Sequence, residues 1–181
     1  NVAPFIALDD PERLRSIGIR QGVELPIETT SSPAEAASLF HRALPVLPLE
    51  LNHTPIPGAP NPANGSVVIQ SIQTAVVLAL DHQVSGIVTN PIHKASLIAT
   101  GFAYPGHTEF LAALAGGSPV MMLASPLLRV VPVTSHVALR DVPDLLSTES
   151  IVACGRTVAR ALISDFGIPQ PRLAVAALNP H

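Results

Sequence analysis

Short apolar runs alternate along the chain with longer stretches in which small and apolar residues recur every three or four positions. Pro4–Leu8, Glu24–Thr29, Val84–Val88, Val120–Ala124, Leu128–Thr134 and Leu173–Leu178 are read as strands. Most of them are continuous apolar runs without a period of two, the pattern of strands buried on both faces. Leu44–Leu51 is also apolar but carries Pro45 and Pro48, so it is expected at a sheet edge or as an extended segment. Asp9 or Asp10 can cap a helix that has Pro11 in its first turn, and Ser32-Pro33-Ala34-Glu35 starts another in the same way. Ser66–Ala79 has helical spacing. His93–Thr100 is a helix ending at Gly101, and Thr108–Ala115 is one ending at Gly116-Gly117. Val142–Leu146 is a short helix, and Ser147 or Thr148 caps the long helix Glu149–Phe166, which stops at Gly167. Between Thr54 and Asn64 stand Pro55, Pro57, Gly58, Pro60 and Pro62, which make that stretch a loop.

Strands alternating with helices predict an α/β fold, a layered sheet with helices on both faces. Ligands in such folds sit at the carboxyl ends of strands. Three expected strands end in polar groups: Thr89-Asn90, Ser135-His136 and Asn179-Pro180-His181. They are expected to share one edge. The chain is divided at the sequence level into a first subdomain, residues 1–95, and a second, residues 96–181, with the boundary somewhere from Asn90 to Gly106.

With 181 residues there is enough chain for one core or two small subdomains. Hydrophobic residues make up 48% and aromatic ones 3%, so the chain is globular and its core is expected to be aliphatic. A net charge of -3 offers no basic surface for nucleic acid, and no nucleic-acid or membrane partner is expected. No uncharged apolar stretch of about eighteen residues is found. Gly65–Leu80 comes closest, interrupted by Ser66, Gln70, Ser71, Gln73 and Thr74. The start has no signal-peptide pattern. Cys154 is a lone cysteine, compatible with the cytoplasm and read as a small buried residue of a helix. The chain opens on Asn1 and closes on Asn179-Pro180-His181, so a longer parent chain is expected, with a further segment on either side.

The densest chemistry lies in Thr89–Phe110, where two His, a Lys, a Thr and a Glu surround proline and glycine turns. Thr108 is a natural N-cap and Glu109 suits the positive end of a helix dipole, but capping does not explain His107. A helix N-terminus beside a His and a Thr is also a ready anion site. Lys94, just inside the helix after a strand, could pair with a phosphate or carboxylate, or simply be solvated. His136 and His181 each follow a buried strand and could reach one point. Imidazole is the commonest metal ligand, yet a catalytic metal needs about three protein ligands, so metal binding and a plain pair of strand-end histidines both stand. Arg140 and Asp141 read as a surface salt bridge or a helix cap. His41, His53 and His82 read as surface residues. The sequence has no GxGxxG, P-loop, HExxH or GxSxG motif.

Six segments in fixed order carry a resemblance: Thr89-Asn90-Pro91-Ile92-His93-Lys94, Tyr104-Pro105-Gly106-His107-Thr108-Glu109-Phe110, Met121-Met122-Leu123-Ala124, Leu128-Arg129-Val130, Ser135-His136-Val137-Ala138-Leu139-Arg140-Asp141-Val142-Pro143 and Leu178-Asn179-Pro180-His181. In these the chain resembles the 4-hydroxythreonine-4-phosphate dehydrogenase family of pyridoxal phosphate biosynthesis, over nearly its whole length and most sharply from Val84 to His181. The resemblance implies a fold like that of isocitrate and isopropylmalate dehydrogenases, here incomplete. It implies NAD- or NADP-dependent, metal-assisted oxidation of 4-phosphohydroxy-L-threonine to a β-keto acid that loses carbon dioxide. It also implies a homodimer with a shared active site and a divalent metal, zinc foremost, with magnesium or cobalt as alternatives. By motif match His136 and His181 are metal ligands, His107 and Thr108 contact substrate, and Lys94 is a catalytic candidate. His93 lies in the same motif without an assigned role, and no cofactor-binding residue is identified. Where the family has His-x-Pro-Leu-Arg, this chain has Ala138 for the proline. The family's Gly-Asp-Pro-Ala-Gly segment, its third metal histidine and further substrate-binding residues do not occur here. A sister dehydrogenase acting on threonate or erythronate 4-phosphate shares these features, and a catalytically incomplete piece that only binds metal or anion, or dimerises, is the alternative of another class.

Overall fold

The computed structural model describes residues 2–178. The chain divides into two compact units, Asn1–Gly117 and Ser118–His181. The division thus falls later than the 95/96 boundary read from the sequence, because the two helices after Asn90 pack their apolar side chains into the first unit.

In the first unit, strands β1 (Ala7–Asp9), β2 (Ile27–Thr29) and β3 (Leu44–Pro48) form a parallel sheet in the order β1-β3-β2. Helices α1 (Pro11–Arg20) and α2 (Pro33–Leu39) connect them. The chain moves outward from β1 to β2 and then back to β3, so right-handed crossovers put α1 and α2 on opposite faces. Both helices start as their sequences require. The Asp10 carboxylate accepts from the Glu12 and Arg13 backbone N–H groups, and the Ser32 hydroxyl accepts from that of Ala34. The other Asp10 carboxylate oxygen accepts from Leu51 N at 3.3 Å and so ties the first turn of α1 to the chain beyond β3.

β3 lies in the middle of this sheet and not at its edge. Its register explains how a central strand tolerates two prolines. Leu44 N donates to Pro26 O at 2.8 Å, and Val46 O accepts from Thr30 N at 2.9 Å, so even-numbered residues face β2. Leu49 N donates to Asp9 O at 3.0 Å, so odd-numbered ones face β1. Pro45 therefore points its nitrogen at β1 one position before that pairing begins at Ala7↔Val46. Pro48 points its nitrogen at β2 after that pairing has ended at Thr29↔Val46. Each missing N–H falls where the neighbour offers no acceptor within the ladder.

The rest of the first unit is built on α3 (Gly65–Leu80), entered through a single 3-10 turn at Pro62–Asn64. Helices α4 (Lys94–Ile98) and α5 (His107–Ala115) pack on α3, and the Ser71 hydroxyl donates to Leu8 O of β1 at 3.1 Å. Ile72, Val76, Leu97, Phe102 and Phe110 are the buried cluster, each such side chain contributing roughly 1.5–3 kcal/mol by leaving water. This core is not purely aliphatic. Phe102, Tyr104 and Phe110 form a three-ring cluster with centroids 5.0–5.4 Å apart, which concentrates half of the chain's five Phe and one Tyr at one place. Contrary to the sequence expectation, one helical stretch, Pro62–Leu80, is long and apolar enough to cross a membrane by length and composition. Its buried face, with Val67, Ile72 and Val76, is what the rest of the unit packs against.

The proline-rich loop ahead of α3 is closed at its neck by Asn64. Its side chain accepts from His53 N at 2.9 Å and donates to His53 O at 2.8 Å, taking the place of a backbone pair. Gly65 follows, and there a glycine is needed for space: a Cβ would stand 2.6 Å from Thr100 Cγ2 and 2.8 Å from Thr100 Oγ1.

In the second unit β4 (Leu123–Ala124) and β5 (Arg129–Val130) form an antiparallel hairpin. The Ser125 hydroxyl closes its turn by accepting from Leu127 N and Leu128 N. Both strands are shorter than their apolar runs, since Pro126 and Pro132 remove ladder donors around them. A 3-10 turn at Leu139–Asp141 leads into α6 (Val142–Leu145) and α7 (Thr148–Ser164). Ser147 and Ser150 form a reciprocal capping box at the start of α7, and Gly167 in the left-handed region (φ 65°) ends it, with Ile168 N donating to Leu162 O at 2.8 Å. Cys154 lies half-buried on α7.

Two expected strands are absent among the described residues. Residues 84–88 and 173–178 run without ladder partners, and Val88 and Val175 are exposed. A strand is defined by its neighbour as much as by its own residues, and an apolar run does not say whether that neighbour lies within the same stretch of chain. Thr89-Asn90 therefore does not end a strand among the described residues, and Asn179-Pro180-His181 lies outside them.

Two predictions follow from this packing. Gly65→Ala should destabilise the chain by about 1–3 kcal/mol, the usual cost of forcing extra volume into a packed contact. Adding Thr100→Ala should return most of the loss in urea denaturation, because the three atoms nearest the new methyl group all belong to Thr100. The second concerns pH. Burial pushes the Asp9 carboxyl above its ordinary 3.8 against the opposing pull of Arg13 and of the Asp10 N–H. The folded state thus holds that proton more tightly than the unfolded one. This contribution is present below 3.8 and is lost as pH rises through the folded value. Glu28 runs the other way: its hydrogen bond to Arg42 lowers it, so its contribution is present above 4.5 and lost as pH falls through the folded value. Asp9→Asn should make the unfolding free energy rise more between pH 3 and pH 7 than it does in the unsubstituted chain.

Candidate functional site

Within the first unit, the structure gathers the residues of the two densest motifs at the starts of α4 and α5. α5 begins one residue before the sequence reading. Gly106 is its N-cap, His107 its first residue, and Thr108 and Glu109 follow in the first turn. Thr108 is therefore not the cap. Gly106 carries no side chain to fill that role, and the helix has no side-chain cap at all. Its first N–H groups and the exposed Thr108 hydroxyl are left for an outside acceptor, which is the arrangement that holds anions.

Lys94 belongs to the same place. Its Nζ lies 3.6 Å, and Glu109 Oε2 lies 2.8 Å, from the point where a Gly106 Cβ would stand. An ammonium, a carboxylate and an uncapped helix N-terminus thus surround one glycine. The ammonium and the helix dipole both favour a negative ligand, while Glu109 balances part of that positive potential. Because the atoms that would meet a Cβ are the ends of flexible side chains, a residue larger than glycine here displaces charges and not backbone.

His107 completes the group. It is half-buried at the first position of α5, and its Nε2 is enclosed without a hydrogen-bond partner. A buried polar atom left unpaired costs about 1–3 kcal/mol. The fold does not use that nitrogen, which leaves it for a water or a ligand.

His93 has a structural duty that sequence reasoning did not assign. It is the N-cap of α4: Nδ1 accepts from Ser96 N at 3.3 Å and lies 2.8 Å from Ser96 Oγ. The signal lay in the spacing His-x-x-Ser, but histidine is seldom a cap and the role did not suggest itself.

His136 lies in the second unit, exposed, in the segment between β5 and the 3-10 turn. Its backbone sits in the left-handed region at φ 58°, unusual for a residue with a side chain. Such conformations cluster where a side chain must be aimed at a particular place. Sequence reading named the residue but could not see this strain. Its expected partner ligand His181 lies outside the described residues. Among the described residues no group of three or more His, Cys, Asp or Glu could hold a metal ion. An exposed imidazole fits the donor chemistry of zinc, and the described residues supply that one donor and not a complete set. Arg140 and Asp141 make a solvent-exposed ion pair at 3.6 Å, and His41, His53 and His82 are exposed, all as read from the sequence.

Two hollows lie apart from Lys94, His107 and Thr108. One of about 210 Å³ in the second unit is lined by Ser135, Cys154 and Thr157 among others. One of about 360 Å³ lies at the carboxyl ends of β2 and β3, against Thr29, Thr30, Ser31, Leu47 and Pro48. The second is where α/β folds place ligands. It offers no charged group, however, and the Thr30 hydroxyl is already bonded to Glu35 and Ser32. The charged and polar motif residues stand instead at Lys94 and the start of α5.

Known proteins resemble this chain over nearly its whole length. Residues 2–181 match the family model described as pyridoxal phosphate biosynthetic protein PdxA. A curated 4-hydroxythreonine-4-phosphate dehydrogenase of Methylorubrum populi is 48% identical over 188 residues, which is 99% of this chain and 54% of that one. One of Erythrobacter litoralis is 48% identical over 184 residues, covering 100% of this chain and 54% of the relative. Among solved structures, the 4-hydroxythreonine-4-phosphate dehydrogenase from Burkholderia phymatum superposes with a TM-score of 0.88 at 31% identity, over 97% of this chain and 53% of its own. The one from Klebsiella pneumoniae does so with a TM-score of 0.84 at 32% identity, over 97% and 54%. The chain therefore spans about half the length of the curated relatives it matches.

One prediction concerns the strained histidine. His136→Gly should leave the thermal midpoint unchanged or higher, because glycine adopts φ 58° freely, whereas a cap or core residue would lose stability on the same change. A clear fall in the midpoint would mean that the His136 side chain holds the fold.

Proposed function

Because the chain belongs to the PdxA family of pyridoxal phosphate biosynthetic proteins, we propose that it carries part of the active site of a 4-hydroxythreonine-4-phosphate dehydrogenase. The proposed reaction oxidises the C3 hydroxyl of 4-phosphohydroxy-L-threonine, with NAD or NADP accepting the hydride and a proton released. The β-keto acid so formed loses carbon dioxide to give 3-amino-2-oxopropyl phosphate, on the way to pyridoxine 5'-phosphate. The observation that carries this reading is the cluster of Lys94 with the uncapped start of α5, inside motifs that occur in the family's order.

Each residue then has a task. The free N–H groups of α5 and the Thr108 hydroxyl bind an anionic or hydroxylic part of the substrate. The His107 ring supplies a hydrogen bond that the fold leaves unmade. Lys94 places a positive charge beside the same helix end, where it meets the substrate's phosphate or carboxylate, and it remains the catalytic candidate of this stretch. His136 and His181 would hold the divalent metal, zinc foremost, with magnesium or cobalt as alternatives. When bound, such a metal supplies Lewis-acid polarisation of the hydroxyl oxygen undergoing oxidation. The third ligand would come from the part of the parent chain outside this stretch, and the family resemblance carries with it a homodimer that shares its site. A cytoplasmic location agrees with a small-molecule biosynthetic reaction and a lone thiol.

The test is nicotinamide reduction, followed by absorbance, with 4-phosphohydroxy-threonine, zinc and either NAD or NADP. It is run on the chain and on a chimera that completes it with the remaining residues of the Methylorubrum populi relative. Turnover should vanish in His136→Ala, and His107→Ala should lower kcat/KM by about 10–100-fold, the value of one hydrogen bond to a charged group. A folded, zinc-loaded chimera that oxidises threonate or erythronate 4-phosphate but not this substrate would overturn the substrate assignment.

A further inference from the structure

We infer that His93 is a positioning residue for Lys94, acting through the cap of α4, with Glu109 as the counter-charge that steadies the ammonium beside Gly106. The inference rests on the reading above of Lys94 as a group that meets the substrate.

The argument starts from the length of α4. Its five residues, Lys94–Ile98, are too few for a helix to hold itself in water, because the first turn costs more than one hydrogen bond returns. Two things outside its own ladder fix it. Leu97 is buried in the core cluster. At the other end His93, in extended backbone, turns its ring back, and Nδ1 accepts from Ser96 N at 3.3 Å with Ser96 Oγ at 2.8 Å. Ser96 is itself buried, so the cap is anchored to a residue that cannot drift. Lys94 is the residue between the cap and the anchored turn. Its Cα is therefore set by the His93 ring, and its side chain leaves from a defined origin.

The far end of that side chain is set from α5. Lys94 Nζ at 3.6 Å and Glu109 Oε2 at 2.8 Å flank the empty Cβ position of Gly106. The two side-chain ends share the space that the glycine leaves open, without a direct ion pair between them. Lys94 is the only lysine in the chain. The hydrogen bonds of the His93 ring are to Ser96, within the turn that carries Lys94.

A single lysine makes the test direct. Reductive ¹³C-methylation of the 181-residue chain labels Lys94 and the terminal amine and nothing else, and the dimethylated Lys94 keeps its charge. Its methyl resonance should be displaced in the folded chain from its position in urea. His93→Ala should move it back to the urea position, while far-UV circular dichroism stays unchanged. His93→Asn should retain the displacement, since an amide oxygen can accept from Ser96 in place of the imidazole. Glu109→Gln, an exposed change that leaves the cap intact, should also shift the resonance, and it serves if His93→Ala does not fold. A resonance unmoved by Glu109→Gln, or unmoved in a folded His93→Ala chain, overturns the inference, and so does failure of His93→Asn to restore it. The expected pattern of shifts together with an inactive chimera would overturn the functional reading and leave this placement of Lys94 standing.

Discussion

The contact on which the first unit depends is the approach of α3 to the turn that follows α4. Thr100 lies so close to residue 65 that no side chain fits there. With glycine in place the start of α3 and the end of α4 can meet, and Thr100 Oγ1 still donates to Leu97 O at 2.7 Å. That contact settles where α4 lies. Leu97 then enters the cluster of Ile72, Val76, Phe102 and Phe110, and Phe110 brings α5 with it. Lys94 and His107 stand at the starts of these two helices, on elements held by one shared core. A site made of three motif residues is thus fixed by a steric fact forty residues from the start of α5.

The two helix starts are treated in opposite ways, and the difference has chemical meaning. α4 is capped, by an imidazole, and its N–H groups are partly spent on the fold. α5 is not capped, its hydroxyl-bearing residue points no bond into the fold, and the ring before it keeps a buried nitrogen unpaired. Leaving donors unmet costs stability, and proteins avoid it unless something arrives to meet them. The capped helix closes its first turn within the fold, while the uncapped one leaves its first N–H groups to solvent or a ligand. Capping a helix with histidine just before a lysine serves the first purpose, and a glycine N-cap serves the second.

Local chemistry was readable from the sequence. Asp10, Ser32 and Ser147 cap the helices they were expected to cap, because a cap depends on residues two or three positions away. Whatever depends on a distant partner was not. The central place of β3 was missed because its prolines are excused by register, and register is set by β1 and β2. The runs at 84–88 and 173–178 look like strands but have no neighbour among the described residues. Thr108 looked like a cap because Gly106 offers no side chain to compete, yet the chain turns into α5 before reaching it. The aromatic cluster was missed for a simpler reason: a low total says nothing of concentration. His136 was found by motif, whereas its left-handed backbone could be seen only in three dimensions.

Motif order and geometry support the functional reading in different ways, and neither replaces the other. Geometry ties Lys94, Gly106, His107, Thr108 and Glu109 into one site of the first unit, and it would favour an anion in any protein. It does not by itself choose a phosphorylated hydroxy-amino acid over another anion. The order of the six motifs narrows the reading to the family, over a chain about half as long as its curated relatives. His136 shows how the two lines meet. The motif singles out the side chain, and the backbone places that residue in the left-handed region, as it also does the exposed His82 at φ 56°. The physical content of the family resemblance is thus narrower than a whole enzyme: a helix start without a side-chain cap, with the one lysine of the chain beside it.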